Sequence, residues 1–376
     1  MRKIILFFKY VLLFKLALLS RVLLFFKRQP RKIEKVLIIQ LAKLGDMVCT
    51  TPLFRAVKQN YPRASLTVIG NALNEELLSG NTDVDQYVVF EGFSNTLKQI
   101  RQGHFDVGIV VTPGFLQLGL LCLTPIQKII TPRVVDRKSP YESLFYKMLS
   151  SFVTKVPHHF FGYAPREYLR LLEPIGIESL DTAKHLAFSE GAKQKVDKFL
   201  SQHNSSAKPL VVMSPSAGNK IKQWPAERFA ELAEKLKSTH GAHIVVIGTQ
   251  RDEVEVKTMF SSLQNNTDIT NTLSQFSIDE LKALVARTDL FISADTGPIY
   301  IAEAFGVPTV DIIGPVDERV QPPRGETHMV VYDKDRKNAE LFIMDARTFD
   351  PVEARRQVEV ISVGEVYNAS EFLLKK

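Results

Sequence analysis

The segment Lys35-Val-Leu-Ile-Ile-Gln-Leu-Ala-Lys-Leu-Gly-Asp46-Met-Val-Cys-Thr-Thr-Pro52 contains the clearest structural signal in this chain. It begins with a short, continuous apolar run, 35–40, which is typical of a parallel β-strand that is buried on both faces. A turn around Gly45 follows, and residues 47–60 have the pattern of a helix. The order strand, loop, helix is the repeating unit of an α/β domain.

The same alternation continues along the 376 residues. The first series predicts strands at 35–40, 65–70, 86–90 and 105–111, and then helices near 115–122, 141–152 and 165–172. After a polar stretch, 201–208, a second series predicts strands at 209–214, 243–248, 290–293 and 309–313, with helices between them. Two such arrays predict an α/β fold of two Rossmann-like domains with a cleft between them. The predicted organisation is an N-terminal segment 1–32, domains 33–205 and 206–361, and a closing helix 362–376.

The first 32 residues differ from the rest in charge and hydropathy. They contain nine Lys or Arg and no acid, which leaves 39 basic and 41 acidic residues elsewhere, so the net charge of +7 does not indicate a nucleic-acid-binding protein. Nineteen of residues 4–26 are apolar or aromatic. Basic residues recur every six positions, which distributes them over three faces of a helix. We predict that this segment contacts an anionic membrane, by spanning it or lying on it; the alternative is a helix that packs on the body of the protein.

The overall composition is that of a folded globular protein, with 45% hydrophobic and 24% charged residues. The two cysteines, Cys49 and Cys122, are too few for a disulfide scaffold or a four-cysteine zinc site. Both lie in apolar segments, so we expect buried, reduced thiols.

The loop after the first predicted strand contains an acidic residue, Asp46, at the start of a helix. Ligands of parallel sheets bind at the carboxyl ends of the strands, so this loop is a candidate site. Asp46 either caps the helix or acts as a general base. The loop has neither a G-x-G-x-x-G fingerprint nor a P-loop, which argues against a dinucleotide-dependent oxidoreductase.

A second candidate loop runs from Ser214 to Pro225. The small residues 216–218 allow backbone N–H groups to approach a ligand, and Lys220 and Lys222 can neutralise a phosphate. Trp224, the single tryptophan, either packs at the helix start or stacks on a ligand.

The third candidate loop is Ser293-Ala-Asp-Thr-Gly-Pro298, and a fourth, Ile313-Gly-Pro-Val-Asp317, follows the next strand. Thr296 and Gly297 lie where the N–H groups of a helix N-terminus meet an anion.

Taken in order and spacing, from about residue 35 to 375, these segments resemble the ADP-heptose:lipopolysaccharide heptosyltransferase family, glycosyltransferase family 9. The resemblance is carried by the first loop, by Pro215-Ser-Ala-Gly218 with Lys222-Gln-Trp-Pro-Ala-Glu-Arg-Phe229, and by Asp295-Thr-Gly-Pro298 followed by Gly314-Pro315. It implies the two-domain GT-B fold, inversion at the transferred sugar, and no requirement for a metal or other cofactor. The N-terminal domain would hold the acceptor and the C-terminal domain the nucleotide sugar.

The resemblance also implies roles for individual residues. Asp46 would deprotonate the acceptor hydroxyl, and Lys222 would hold the diphosphate of the donor. The residues expected to bind the donor are Ser216, Ala217, Gly218, Lys220, Glu253, Asp295, Thr296, Gly297 and Tyr300. Tyr300 stands where many family members have His, which leaves the donor sugar open. Glu253 is expected to bind the ribose of the donor, with Asp252 and Glu255 as alternatives. The structural alternative is that all three simply lie in the solvent-exposed first turn of a helix.

The sequence therefore predicts a bacterial glycosyltransferase at the cytoplasmic face of the inner membrane. It would move heptose from ADP-heptose onto a lipid-linked saccharide such as lipopolysaccharide core, with residues 1–32 on the anionic membrane and no nucleic acid or metal. Two alternatives remain. One is the same fold using a different nucleotide sugar for another surface glycan, and the other is a non-catalytic, membrane-bound nucleotide-sugar-binding protein.

Overall fold

The computed structural model describes residues 2–24, 32–136, 138–203, 208–341 and 349–376. They form two compact units, Met1–Ala183 and Lys184–Lys376. Each unit contains one six-stranded sheet in which every strand pairing is parallel. The predicted α/β class with two Rossmann-like domains is confirmed.

The sheet of the first unit has the order β3-β2-β1-β4-β5-β6. Its central strand, β1, is the apolar run predicted at residues 35–40, and Val36, Leu37 and Ile38 in it are fully buried. The elements of this unit are α1 (Arg2–Leu24), β1 (Lys35–Ile39), α2 (Leu44–Asn60), β2 (Ser65–Gly70), α3 (Ala72–Leu78), β3 (Gln86–Val89), α4 (Phe93–Gly103), β4 (Val107–Val110), α5 (Phe115–Cys122), β5 (Lys128–Val134), α6 (Leu144–Ser150), β6 (Thr154–His158) and α7 (Ala164–Leu169).

Strands β5 and β6 are absent from the sequence prediction, which gave helices alone for residues 112–180. Pro132 interrupts the apolar pattern of β5, and β6 is an edge strand in which Val156 alone is buried. Proline and polar residues are tolerated here because β5 pairs with β4 only at residues 128–130, so Pro132 lies beyond that ladder. The pattern that identifies a strand buried on both faces is therefore missing at this edge.

Helix α1 packs on the first unit. Its Ala17 is fully buried, and the ring of Tyr10 lies 5.3 Å from that of Phe115 in α5. Arg21 donates hydrogen bonds to the carbonyl oxygens of Ile126, at 2.5 Å, and Gln127, at 2.9 Å. The described part of the N-terminal segment is therefore a packed helix, and the basic residues 27, 28 and 31 lie outside the described ranges. Among the described helices, none has the length and apolar character needed to cross a bilayer.

The second unit repeats this plan with the strand order β12-β11-β10-β7-β8-β9. Its elements are α8 (Glu190–His203), β7 (Leu210–Ser214), α9 (Ala226–His240), β8 (His243–Val246), α10 (Glu253–Ser262), β9 (Ile269–Asn271), α11 (Ile278–Val285), β10 (Leu290–Ala294), α12 (Gly297–Ala304), β11 (Thr309–Ile313), β12 (His328–Tyr332), α13 (Pro351–Glu359) and α14 (Val363–Leu374).

Helix α8 belongs to the second unit. Lys195 in α8 forms an ion pair of 2.8 Å with Glu280 in α11, and Ser189 donates its hydroxyl to Asp279 at 2.6 Å. The compact unit consequently begins at Lys184, whereas the boundary that the sequence predicts, 205/206, falls within residues 204–207, outside the described ranges.

Both cysteines are buried free thiols, as expected. Burial raises the pKa of Cys122 to about 12, against the opposing charge of Arg21. This thiol is therefore protonated at neutral pH and is an inert part of the core.

Candidate active site

Three of the four candidate loops leave neighbouring strands of the second sheet. They follow β7, β10 and β11, which are adjacent in the order β11-β10-β7. Because all strands are parallel, these loops lie at one edge of the sheet. The strand order reverses between β7 and β10, and such a switch point is where α/β sheets bind ligands.

Lys222 and Asp295 form a buried ion pair between two of these loops. The Lys222 ammonium lies 2.6 Å from Oδ2 of Asp295 and 2.5 Å from the carbonyl oxygen of the same residue. The Lys222 side chain is 4% exposed and that of Asp295 is 13% exposed. At such low exposure a charge is stable only when an opposite charge and hydrogen bonds compensate its lost hydration. The pair therefore holds the lysine at the switch point in one position.

Tyr300, in α12, completes this pair. Its hydroxyl donates a hydrogen bond to Oδ1 of Asp295, so both carboxylate oxygens have a partner. Burial opposes ionisation of Asp295, but the charge and hydrogen bond of Lys222, together with the hydroxyl of Tyr300, hold the pKa of this carboxyl below its ordinary value. Asp295 is therefore ionised at neutral pH. The three residues Lys222, Asp295 and Tyr300, which were predicted to bind the donor, form one cluster.

The short 3₁₀ turn Lys220–Lys222 positions the lysine. Asn219 caps this turn by accepting a hydrogen bond from the backbone N–H of Ile221 at 3.2 Å. Trp224 follows directly: it is buried, its indole N–H donates to the carbonyl of Ile361 at 2.9 Å, and its ring packs edge-on against Phe229. The tryptophan is thus a packing residue that fixes the end of the loop, which decides between the two interpretations given above.

The small residues of the same loop differ in exposure. Ser216 and Ala217 are buried, whereas Gly218 is exposed and a methyl group at its Cα would meet nothing within 4 Å. Lys220 is also exposed, and its ammonium lies 3.8 Å from the carboxylate of Glu255. The two lysines are therefore not equivalent, since Lys222 is fixed and Lys220 extends into solvent.

Helix α12 begins in the third loop. Thr296 is its N-cap residue, with φ −145°, and makes no side-chain capping hydrogen bond, while Pro298 lies in the first turn. The first N–H groups of a helix have no intrahelical acceptor and carry the positive end of the helix dipole. Thr296 and Gly297 thus place amide donors one and two residues after the buried Asp295.

The three acidic residues after β8, Asp252, Glu253 and Glu255, make different contacts. Asp252 accepts from the backbone N–H and the hydroxyl of Thr249 in a capping box. Glu253 is partly exposed and pairs with Lys257 at 2.6 Å; this hydrogen bond lowers the pKa of Glu253. Glu255 is largely buried and faces Lys220 of the loop after β7. The structure therefore links Glu255, rather than Glu253, to that loop.

The structure adds a buried acid that sequence analysis missed. Asp311, in β11, is fully buried, and within the described ranges neither of its carboxyl oxygens has a hydrogen-bond partner. Burial and the negative charges of Asp295 and Glu303 raise the pKa of Asp311 well above its ordinary value, against the opposing effect of Lys222. The fold therefore favours the protonated form of Asp311. Only its position in an otherwise apolar strand, Thr309–Ile313, distinguishes it in the sequence.

The fourth loop is held closely against helix α13. A Cβ on Gly314 would lie 1.9 Å from a methyl carbon of Val358, so no larger residue fits without displacement. Arg336 donates hydrogen bonds to the carbonyl oxygens of Gly314 and Val316 and pairs with Glu318. These bonds fix the backbone beside the loop that contains Asp295.

In the first unit, Asp46 lies in the first turn of α2. The N-cap residue is Lys43, so the helix starts before Asp46. The approach to this turn is fixed because the carbonyl of Ala42 accepts hydrogen bonds from Asn71 and Asn74 at 2.9 and 3.1 Å. A carboxylate in the first turn is stabilised by the helix dipole.

Tyr168, in α7, contacts Asp46 and is the second residue that sequence analysis missed. Its hydroxyl hydrogen-bonds to the Asp46 carboxylate, and burial together with the Asp46 charge raises the pKa of Tyr168 well above its ordinary value. The tyrosine is therefore a neutral donor that orients the carboxylate. It lies in the region 112–180, where no local motif marks it, and only the packing of α7 on α2 brings it to Asp46.

Two acidic residues of the first unit that lie close in sequence, Asp83 and Asp85, each pair with a basic residue of α2. Asp83 lies 3.8 Å from Arg55, and Asp85 lies 2.9 Å from Lys58. Across the part of the chain that the structure describes, no group of three or more His, Cys, Asp or Glu is placed to hold a metal ion.

Comparison with known proteins gives a consistent result. The model of glycosyltransferase family 9 (heptosyltransferase) matches residues 94–347, which include both loops of the Lys222–Asp295 pair but not Asp46. The chain is 25% identical over 284 residues to lipopolysaccharide heptosyltransferase 3 of Escherichia coli, which covers 73% of this chain and 80% of that protein.

Solved structures share the fold. A glycosyl transferase family 9 protein from Veillonella parvula superposes with a TM-score of 0.75 at 20% identity, covering 93% of this chain and 99% of that one. The ADP-heptose lipopolysaccharide heptosyltransferase II of Escherichia coli superposes with a TM-score of 0.73 at 20% identity, covering 91% and 98%. The GT-B fold expected from the sequence is confirmed.

Proposed function

This chain belongs to glycosyltransferase family 9 and is a glycosyltransferase, and from that premise we propose that it transfers heptose from ADP-heptose to a lipopolysaccharide core saccharide. The observation that carries the proposal is the buried Lys222–Asp295 pair beside the start of helix α12 at the switch point of the second sheet. The donor and acceptor are those in the names of the similar proteins, the lipopolysaccharide heptosyltransferases.

The donor diphosphate is proposed to bind at this switch point. The leaving nucleotide gains negative charge as the bond to the sugar breaks, and fixed positive charge or N–H dipoles stabilise that charge. Lys222 supplies the charge, and the amides of Thr296 and Gly297 supply the dipoles. The exposed Lys220 and the small residues Ser216, Ala217 and Gly218 line the same proposed diphosphate site.

The sugar and ribose contacts are proposed for the acidic residues and Tyr300. Asp295 keeps its charge through Lys222 and Tyr300, which suits it to accept hydrogen bonds from sugar hydroxyls. For the ribose, Glu255 replaces Glu253 as our preferred residue, because Glu255 faces the loop after β7 while Glu253 pairs with Lys257.

Asp46 is proposed as the general base. An inverting transfer is a single displacement in which one carboxylate removes the proton of the acceptor hydroxyl as the oxygen attacks the anomeric carbon. The Tyr168 hydroxyl hydrogen-bonds to the Asp46 carboxylate and holds it in one orientation. Lys222 and the α12 amides together provide the charge stabilisation that the leaving group needs, so the proposed reaction proceeds without a metal ion.

The acceptor is lipid-linked in this proposal, and the enzyme acts at the cytoplasmic face of the inner membrane. The basic, apolar N-terminal segment 1–32 supports this location, since an anionic leaflet attracts lysine and arginine. A different nucleotide sugar remains the second candidate, because Tyr300 stands at the position where the family resemblance leads one to expect His.

The test is turnover of the full-length protein with a heptose-containing core acceptor. ADP-heptose, ADP-glucose and UDP-glucose are compared as donors, and release of the nucleotide is measured. We expect turnover with ADP-heptose, and the Asp46→Asn variant is expected to lose about 10²- to 10⁴-fold in kcat because the general base is gone. Turnover with another donor instead would show that ADP-heptose is not the substrate. A wild-type kcat in Asp46→Asn would refute Asp46 as the general base.

A further inference from the structure

Helix α1 is apolar on the side that faces away from the protein as well as on the side that packs. Seven large apolar side chains of this helix are 46–66% exposed, and they define its outer face: Phe7, Phe8, Leu12, Leu16, Leu19, Val22 and Leu23. At 100° per residue these positions fall in one continuous arc, opposite the buried Ala17 and Arg21. Exposed apolar surface of this extent indicates a binding site.

The outer face has an apolar neighbour on α6. Phe145 in α6 lies 6.1 Å, between ring centroids, from Phe7 of α1. On either side of Phe145 in the sequence, Leu144 is 71% exposed and Met148 is 44% exposed. We call the outer face of α1 together with Leu144, Met148 and the exposed Phe152 the two-helix surface.

The charges on this surface have one sign. Lys9 and Lys15 of α1 and Lys147 of α6 are exposed, and neither helix contains an acidic residue. Apolar side chains flanked only by lysines complement an anionic bilayer, because the apolar groups enter the acyl boundary while the ammonium groups meet the phosphates.

Arg21 has a different role from these lysines. It is buried, and its hydrogen bonds to the carbonyls of Ile126 and Gln127 hold the end of α1 against the first unit. The helix can therefore contact a membrane with its outer face while its inner face stays packed on the protein.

We propose that the two-helix surface is a docking site for an anionic lipid bilayer, with α1 lying along the membrane and α6 contributing to the contact. This rests on the proposed function in that a lipid-linked acceptor requires an enzyme at the membrane. It goes further by assigning part of the contact to α6, more than a hundred residues away from the basic segment in sequence.

Flotation of the full-length protein with vesicles tests the proposal. Vesicles of phosphatidylglycerol and phosphatidylethanolamine are compared with vesicles of phosphatidylcholine. The variants are Leu144→Asp/Met148→Asp on α6 and Leu12→Asp/Leu16→Asp on α1. The matched control is Val254→Asp/Val352→Asp in the second unit, whose valines are 67% and 78% exposed.

We expect the α1 and α6 variants each to bind anionic vesicles at least tenfold more weakly than wild type, and the control to bind like wild type. Lys15→Gln should weaken binding about fivefold. Wild-type binding by the α6 variant would overturn the proposal in favour of the N-terminal segment alone. Equal loss in the control, or equal binding to phosphatidylcholine, would also overturn it.

Activity on a water-soluble core oligosaccharide, without vesicles, separates this proposal from the proposed function. The vesicle-binding variants should keep wild-type kcat there, which also shows that they are folded. Vesicle binding as expected with no turnover by wild type would refute the proposed function and leave the docking surface standing.

Discussion

Replacement of Lys222 by Met tests whether the Lys222–Asp295 pair holds the donor site together. The substitution removes the ammonium 2.6 Å from Asp295 and leaves the carboxylate, 13% exposed, with Tyr300 as its remaining side-chain partner. Removing one partner of a buried ion pair costs about 3–5 kcal/mol, because the other charge stays in the interior uncompensated. Since the Tyr300 hydrogen bond remains, we expect the lower end of that range, about 3 kcal/mol.

The chain provides its own reporter for this measurement. Trp224 is the single tryptophan, is buried, and lies two residues after Lys222 in the second unit, so urea unfolding followed by its fluorescence reports on that unit. If the free energy of unfolding falls by about 2–3 kcal/mol per M urea, a loss of about 3 kcal/mol of stability lowers the urea midpoint by about 1–1.5 M. Lys257→Met is the matched control, because Lys257 forms an exposed ion pair with Glu253 at the same distance of 2.6 Å. We expect no measurable change in its midpoint.

A double-mutant cycle and a pH series complete the test. Lys222→Met/Asp295→Asn should lose about 1–3 kcal/mol less than the sum of the single variants, since neither leaves a charge unpaired. The lowered pKa of Asp295 means that the pair stabilises the fold above the unfolded-state pKa of about 4 and stops doing so as the pH falls through the folded-state pKa. The midpoints of Lys222→Met and wild type should therefore converge in acid. Single-variant losses no larger than that of Lys257→Met, or losses that simply add, would refute the reasoning.

The remaining predictions concern four further positions. Tyr300→Phe removes one hydrogen bond to the Asp295 carboxylate and should cost about 1.5–3 kcal/mol in the same urea assay, and an unchanged midpoint would contradict that bond. The free energy of unfolding of Asp311→Asn should equal that of wild type near pH 4 and exceed it increasingly toward pH 7, by up to about 1.4 kcal/mol per pH unit. The reason is that the pKa of Asp311 is raised in the folded protein, so the wild-type fold loses stability as this residue ionises in the unfolded chain. Parallel pH profiles of the two proteins would disprove this. Gly314→Ala should lose about 1–3 kcal/mol through its clash with α13, while Gly364→Ala in α14, where a methyl group meets no atom closer than 3.9 Å, should gain up to about 1 kcal/mol.

Parts of the proposed donor site could be predicted because they are local. Residues 210–225 contain, in one continuous stretch, a strand, a loop of small residues, a lysine and the tryptophan. The start of α12 likewise follows Asp295 directly in the sequence. A parallel sheet brings the ends of its strands to one edge, so recognising the strands was sufficient to expect the loops together. The acidic residue proposed to bind the ribose could not be identified this way. Glu253 and Glu255 both lie in the first turn of α10, and only the structure shows that Glu255 faces Lys220.

The first unit shows the limit of the same reasoning. Residues 112–180 contain two strands and the tyrosine that contacts Asp46, and none of these has a distinctive local pattern. Pro132 interrupts the apolar run of β5, the edge strand β6 buries only Val156, and a single tyrosine in a short helix has no sequence signature of its own. The N-terminal helix was expected at the membrane, and its packing on α5 and α6 became visible only in the structure.

By itself, the sequence determined the two α/β arrays and the loops at the strand ends, because each depends on residues within one strand or turn of each other. The order and spacing of those loops along the chain then gave the family resemblance. The tertiary structure decided which groups are charged and what holds them. Lys222 meets Asp295 across 73 positions, burial and the charges of Asp295 and Glu303 raise the pKa of Asp311, and Arg21 is buried against a loop 105 residues away. Ionisation and hydrogen bonding depend on the local dielectric and on facing groups, and distant segments supply both.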